Sequence, residues 1–237
     1  MRVLALVFAL AACASPKGTF DPTVTPRPAD AAPAAVMAAL PHVVAVYVNA
    51  TCDTLTDAHE RGTGFWVNSG TVATAGHAMN VRSQMFPDFA IVGPEGCMNG
   101  RYADWFEHVD LLFIMVSGRH EGAVSLRTEA PAPGEPLWQF VFQGRNDLTK
   151  SGIFTPMRVV AEDLEDSDIS FGSRPEPAPG DSGAPVFDAS GRLAGMTQAI
   201  GWYDKRPDFG RIGVHLRSLI VRHYLAQCAG GGPCGDD

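Results

Sequence analysis

Apolar residues fall along most of the chain in short runs, separated by polar, Gly- or Pro-containing stretches. His42–Asn49 (HVVAVYVN) is β-branched and apolar and reads as a strand. After a loop that holds Cys52, Gly64–Asn68 (GFWVN) and Thr71–Thr74 (TVAT) continue the pattern. Further strand-like runs are Phe89–Val92, Leu111–Val116, Leu137–Phe142, Phe154–Val160, Ile169–Phe171, Ala184–Phe187 and Leu193–Ile200. Short spacing and frequent turns predict an all-β fold of barrel or sandwich type. One segment departs from this. In Val214–Gln227 (VHLRSLIVRHYLAQ), Leu216, Leu219, Ile220 and Leu225 fit a helical stripe, which predicts a helix capping the barrel. No internal repeat and no second folded domain is visible.

The N-terminus follows a different pattern. Arg2 precedes an apolar run from Val3 to Ala12. That run is too short for a bilayer, which needs about 20 residues, and residues 1–12 read as a signal peptide. The end of the run, Leu10-Ala11-Ala12-Cys13, resembles the lipobox of bacterial lipoproteins, which implies an acylated Cys13 and a membrane anchor. Residues 13–35 are rich in Pro, Ala and Thr and read as a semi-extended tether. The folded domain is expected at 36–228, with a Gly-rich tail at 229–237. These features together predict an exported protein of the bacterial envelope, facing the periplasm or the cell surface.

Composition narrows the partners. The 237 residues are 46% hydrophobic and 19% charged, as in a core-forming chain. A net charge of −8 with no basic block argues against nucleic acid. With Cys13 set apart, Cys52, Cys97, Cys228 and Cys234 leave an even number for an exported protein. Four cysteines allow three connectivities; Cys52–Cys97 and Cys228–Cys234 are favoured, the latter closing a short Gly-rich loop. No CxxC or HxxxH spacing accompanies them, so no metal and no cofactor is expected.

Candidate chemistry sits at strand boundaries. Pro179–Asp188 (PGDSGAPVFD) places Ser182 between glycines, just ahead of a core strand. A turn explains such residues. So does a nucleophile that needs an exposed hydroxyl and converging backbone N–H groups. A nucleophile needs a base and an orienting acid. His77 ends an apolar strand in TVATAGHAM, and Asp110 opens another in EHVDLLFIMV. The order along the chain is His, Asp, Ser.

TAGH, VDLLFI and PGDSGAPVF together resemble the segments around the histidine, aspartate and serine of the trypsin-like serine proteases. RGTGFWV, GEPLWQF and GRLAGM agree with neighbouring strands of that family, and the likeness extends over about residues 36–227. The resemblance implies two six-stranded antiparallel β-barrels of the chymotrypsin-like fold with a C-terminal helix. It implies a serine endopeptidase acting on polypeptides through His77, Asp110 and Ser182 and an acyl-enzyme. The backbone N–H groups of Gly180 and Ser182 are the implied oxyanion hole. The primary pocket is implied to lie between the residues just before Ser182 and the strand after it. Glu176 and Gln198 are thus candidate substrate-binding residues, with Ile200 near the mouth; an acid at Glu176 favours Arg or Lys.

Two departures stand out. Ala184 replaces the usual glycine. The opening AALPHVVAVYV carries no Ile-Val-Gly-Gly-like activation site, as in bacterial members that fold active. Asp181 then needs an internal partner, with Arg145 and Arg174 as candidates. The alternative functions are a protease fold that grips peptides without turnover and a structural envelope lipoprotein.

Overall fold

The structure is a computed structural model, and it describes residues 32–55, 61–79, 87–142, 152–161, 169–178, 180–202 and 211–229. A first barrel is built from β1 (Val43–Val48), β2 (Arg61–Asn68), β3 (Thr71–Ala75), β4 (Asp88–Gly93), β5 (Gly96–Phe106) and β6 (Leu111–Val116). A second is built from β7 (Pro136–Phe142), β8 (Gly152–Ala161), β9 (Ser170–Arg174), β10 (Pro185–Phe187), β11 (Leu193–Trp202) and β12 (Arg211–Arg217). Both sheets close, in the orders β1-β2-β3-β6-β5-β4 and β10-β11-β12-β9-β8-β7, with antiparallel pairing throughout. A short helix, α1 (Ala34–Ala38), precedes the first barrel, and α2 (Ser218–Ala229) follows the second. This is the chymotrypsin-like fold.

Closure gives each strand an inner and an outer face, and here both are buried along the contact between barrels. In β6, Leu112 and Ile114 fill the first barrel with Val46, Trp66, Phe89 and Ile91. Leu111 and Phe113 point the other way, into a cluster shared with Phe140, Phe187, Leu193 and Leu216 of the second barrel. The uninterrupted apolar run LLFIMV follows from this double burial. Val36 of α1 and Val221 of α2 join the same shared cluster.

Two strands escape the sequence pattern. β5 has only Gly100 buried, and its pairing with β6 shifts register between Tyr102 and Asp104, so no period of two develops. The sequence pattern places the second half of β12 in the helix, because Leu216 fits both periods. In the structure Leu216 is a strand residue, and the helix begins at Ser218. Leu219 is 45% exposed, and the packed face of α2 is Val221 with Ile220, Tyr224, Leu225 and Cys228.

The connection between barrels is fastened by charge. Arg127 donates to both carboxylate oxygens of Glu135 and lies 3.8 Å from Asp188. Asp188 is held below the usual carboxylate range, against its burial, by Ser190 and by Arg192. Cys52 is bonded to Cys97, tying the loop after β1 to β5. The expected Cys228–Cys234 pair lies outside the described residues at Cys234, as do the signal peptide, Cys13 and most of the tether. No helix among the described residues is long and apolar enough to cross a membrane.

Candidate active site

β3 ends at Ala75, and Gly76 turns the chain beneath the indole of Trp105. A Cβ at Gly76 would overlap that ring, lying 2.7 Å from its Cε2, so the turn requires glycine. His77 then starts a 3-10 turn, His77–Met79. Its backbone N–H donates to Asp110 Oδ1 at 2.8 Å, and its ring Nδ1 makes a short hydrogen bond to Asp110 Oδ2. One carboxylate thus fixes both the backbone and the ring of the histidine.

Asp110 closes the 3-10 turn Glu107–Val109 in the left-handed region, at φ 52°. Aspartate tolerates this conformation better than most residues. With Nδ1–H given to Asp110, His77 Nε2 is the acceptor. Ser182 Oγ stands 2.9 Å from it. The hydrogen bond to Asp110, with its negative charge, raises the His77 pKa above 6.5, although partial burial opposes the shift.

Ser182 arrives from the second barrel. Around it, Asp181 N–H donates to the Ala178 carbonyl, Gly183 N–H to the Thr197 carbonyl at 2.8 Å, and Ala184 N–H to the Asp181 carbonyl. Among the described residues, these loop bonds use neither the Gly180 nor the Ser182 amide. Gly180 has φ 100°, and a Cβ there meets nothing within 4 Å, so this side of the loop is open. Gly183 is the opposite case. At φ 83°, its Cβ would overlap the Thr63 carbonyl oxygen and Thr74 Oγ1 and lie 3.1 Å from Ala75 N. The serine loop rests on the backbones of β2 and β3.

The other candidates fall differently. Gln198 is the extra residue in a register shift of β11, between Thr197 paired with His215 and Ala199 paired with Val214. Such a bulge re-aims a side chain. The Gln198 amide donates to the Val109 carbonyl, directly before Asp110, while the Gln198 carbonyl lies 3.4 Å from Ser182 Oγ. Tyr224 of α2 makes a second cross-link, hydrogen-bonding His108 and packing on Phe106 at 4.1 Å between ring centroids. Sequence patterning gave no sign of either link.

Glu176 does not face inward: its side chain is 38% exposed and pairs with Arg211 at 3.6 Å. Asp181 is buried, and burial pushes its carboxyl up. Among the described residues, its hydrogen-bond donor is the Ala178 N–H at 2.9 Å. Arg174 is exposed and Arg145 lies outside the described residues. Ala184 is fully buried, and its methyl is accommodated.

Gly183→Ala tests the contact between barrels. Overlap plus an unfavourable φ is expected to cost at least about 2 kcal/mol in denaturant unfolding. Gly134→Ala is the control, because Gly134 has φ 80° but nothing within 4 Å of an added Cβ. Equal effects of the two substitutions would show that the contact with β2 and β3 is not tight.

Comparison with known proteins places this geometry. The trypsin-like peptidase domain profile matches residues 62–196, more than half of the chain. No curated protein gives a significant match. Among solved structures, the Rv3671c protease of M. tuberculosis in its active form is similar at 18% identity and TM-score 0.63, covering 100% of this chain and 96% of its own. Its inactive form gives 19% and 0.62, covering 83% and 97%. A serine endoprotease from Yersinia pestis gives 16% and 0.61, covering 81% of this chain and 64% of its own. At these identities the structures speak for the fold, and the family follows from the sequence match: the chain belongs to the trypsin-like peptidases.

Proposed function

We propose that the protein is a serine endopeptidase that hydrolyses polypeptides through an acyl-enzyme. The observation that carries this reading is the bonded line from Asp110 through His77 to Ser182 Oγ, at 2.9 Å from His77 Nε2, built across two barrels. Ser182 Oγ attacks the scissile carbonyl carbon while its proton passes to His77 Nε2. Asp110 holds the ring tautomer and stabilises the imidazolium. The negative oxygen of the tetrahedral intermediate is taken by the Gly180 and Ser182 N–H groups; one such donor is worth about 10²–10³ in rate. His77 returns the proton to the leaving amine. Water then repeats the sequence on the acyl-enzyme and frees the acid.

Ser182→Ala is expected to lower turnover by about 10⁶ without unfolding the protein, since the three residues act as a unit. A fluorophosphonate probe should label Ser182 and nothing else. Substantial hydrolysis by the purified variant would sink the assignment. Absence of labelling in a folded protein would favour a module that only grips peptides.

The acid limb of the pH profile follows from His77. The ring must be neutral to accept the serine proton, and its pKa is raised above 6.5. Activity is therefore full at high pH and falls as pH drops through a midpoint above 6.5. Asp110→Asn removes the raising cause, so the midpoint should move down, with a rate loss of about 10⁴. A midpoint unmoved by that substitution would show that another group titrates.

The membrane-tethered form of this function rests on Leu10–Cys13 alone. The mature protein should carry acyl chains on Cys13 and partition into detergent, because two membrane signals suffice for stable anchoring. Cys13→Ser should abolish partitioning. A mature N-terminus found elsewhere by mass spectrometry excludes the anchor.

A further inference from the structure

The turn that carries Asp110 is gripped from α2. Asp110 is left-handed at φ 52°, a conformation that a residue other than glycine keeps only where its surroundings hold it. Within the turn, Asp110 N–H donates to the Glu107 carbonyl at 3.2 Å, near the long limit for such a bond. On the inner side, the Gln198 amide donates to the Val109 carbonyl. On the outer side, the Tyr224 hydroxyl hydrogen-bonds His108 Nε2, and the Tyr224 ring lies 4.1 Å from that of Phe106, the residue ahead of the turn. Phe106 meets Phe113 of β6 edge-on at 5.9 Å. Tyr224 thus touches both the residue before the turn and its middle residue.

α2 holds Tyr224 in place because the helix is itself anchored. Val221, one turn earlier on the same face, is fully buried, and Ser218 at the helix start donates its hydroxyl to the Arg127 carbonyl at 2.6 Å. Tyrosine suits the position. Its hydroxyl donates to a neutral His108 and accepts from a charged one, so the bond persists on both sides of the histidine's titration. His108 is exposed and Tyr224 half-buried. Water competes for so open a bond, and its contribution to global stability is small. Its effect on the turn is direct, since Asp110 lies two residues on.

We propose that Tyr224 is a positioning residue: through His108 and Phe106 it fixes the turn that sets the Asp110 carboxylate against His77. The inference rests on the peptidase reading above and deepens it, because it makes the C-terminal helix part of the apparatus for that reaction. One carboxylate bonds both the backbone N–H and the ring Nδ1 of His77, so a shift of the turn loosens both bonds together. Such a set works only within about 0.5 Å of its productive geometry. Without the phenol hydroxyl, Asp110 spends less time on the ring, and it orients and charge-stabilises His77 less.

The test compares the wild type with Tyr224→Phe, His108→Ala, the double variant and His108→Gln, whose amide reaches the place of the imidazole Nε2. Two quantities are followed over pH, each per folded molecule. One is the rate at which a plain fluorophosphonate labels Ser182; the other is the titration midpoint of His77, read from its ring proton by NMR. Tyr224→Phe and His108→Ala should each slow labelling about three- to tenfold at the plateau. Both should move the His77 midpoint down towards the ordinary value of 6.5, because the raising bond to Asp110 weakens. The double variant should be no worse than either single one, since all three remove the same bond. His108→Gln should recover most of the rate. Gly134→Ala, strained at φ 80° in the connection between the barrels, is the control for destabilisation alone and should change neither quantity. If the wild type is labelled but folded Tyr224→Phe matches it in rate and midpoint, or if the losses of the two single variants add, Tyr224 does not place Asp110 and the peptidase reading stands. If Ser182 of the folded wild type is not labelled, the peptidase reading falls and takes this role for Tyr224 with it.

Discussion

The approach of Gly183 to β2 and β3 is the contact on which the candidate site depends. His77 and Asp110 belong to the first barrel and Ser182 to the second, so neither barrel holds the set alone. Alignment to a hydrogen bond of 2.9 Å between them tolerates little play. A contact between side chains has rotamers to relax through. A contact made by bare backbone, against the Thr63 carbonyl and the Ala75 amide, has none. The Gln198–Val109 and Tyr224–His108 bonds add cross-links on the Asp110 side.

Hydrophobic packing holds the barrels together, and polar contacts set their register. Phe65 and Phe113 from the first barrel meet Phe140, Phe187 and Leu216 from the second in one buried cluster. Fully burying such side chains is worth about 1.5–3 kcal/mol each, but the force has no direction. It brings the barrels together without fixing their rotation. Directional bonds across the contact do that, among them the Gln198 amide on the Val109 carbonyl and Tyr224 with His108.

The serine loop is closed by its own hydrogen bonds. Asp181 folds back on Ala178, both by side chain and by backbone N–H, and Ala184 N–H returns to the Asp181 carbonyl. The buried acid finds a local donor in the Ala178 N–H. The same economy appears at Asp188, whose carboxylate is bonded within its turn by Ser190 and Arg192.

Ten of the twelve strands were legible in the sequence, as were the three strand boundaries where His77, Asp110 and Ser182 sit. A strand with one or two buried faces must write that burial into its residues, and turns require Gly, Pro or Asp. β5 escapes the pattern because a strand half-buried on most positions, with a register shift, owes its place to its neighbours. β12 was misread because Leu216 serves two periods, and only pairing with β9 and β11 chooses between them. The resemblance implies a pocket residue at Glu176 but not the direction of its side chain, which the ion pair with Arg211 and the burial of Pro177 decide. Periodicity is a local property, and sequence carries it. Where the Glu176 side chain points and which carbonyl Gln198 reaches depend on surfaces brought together from distant parts of the chain.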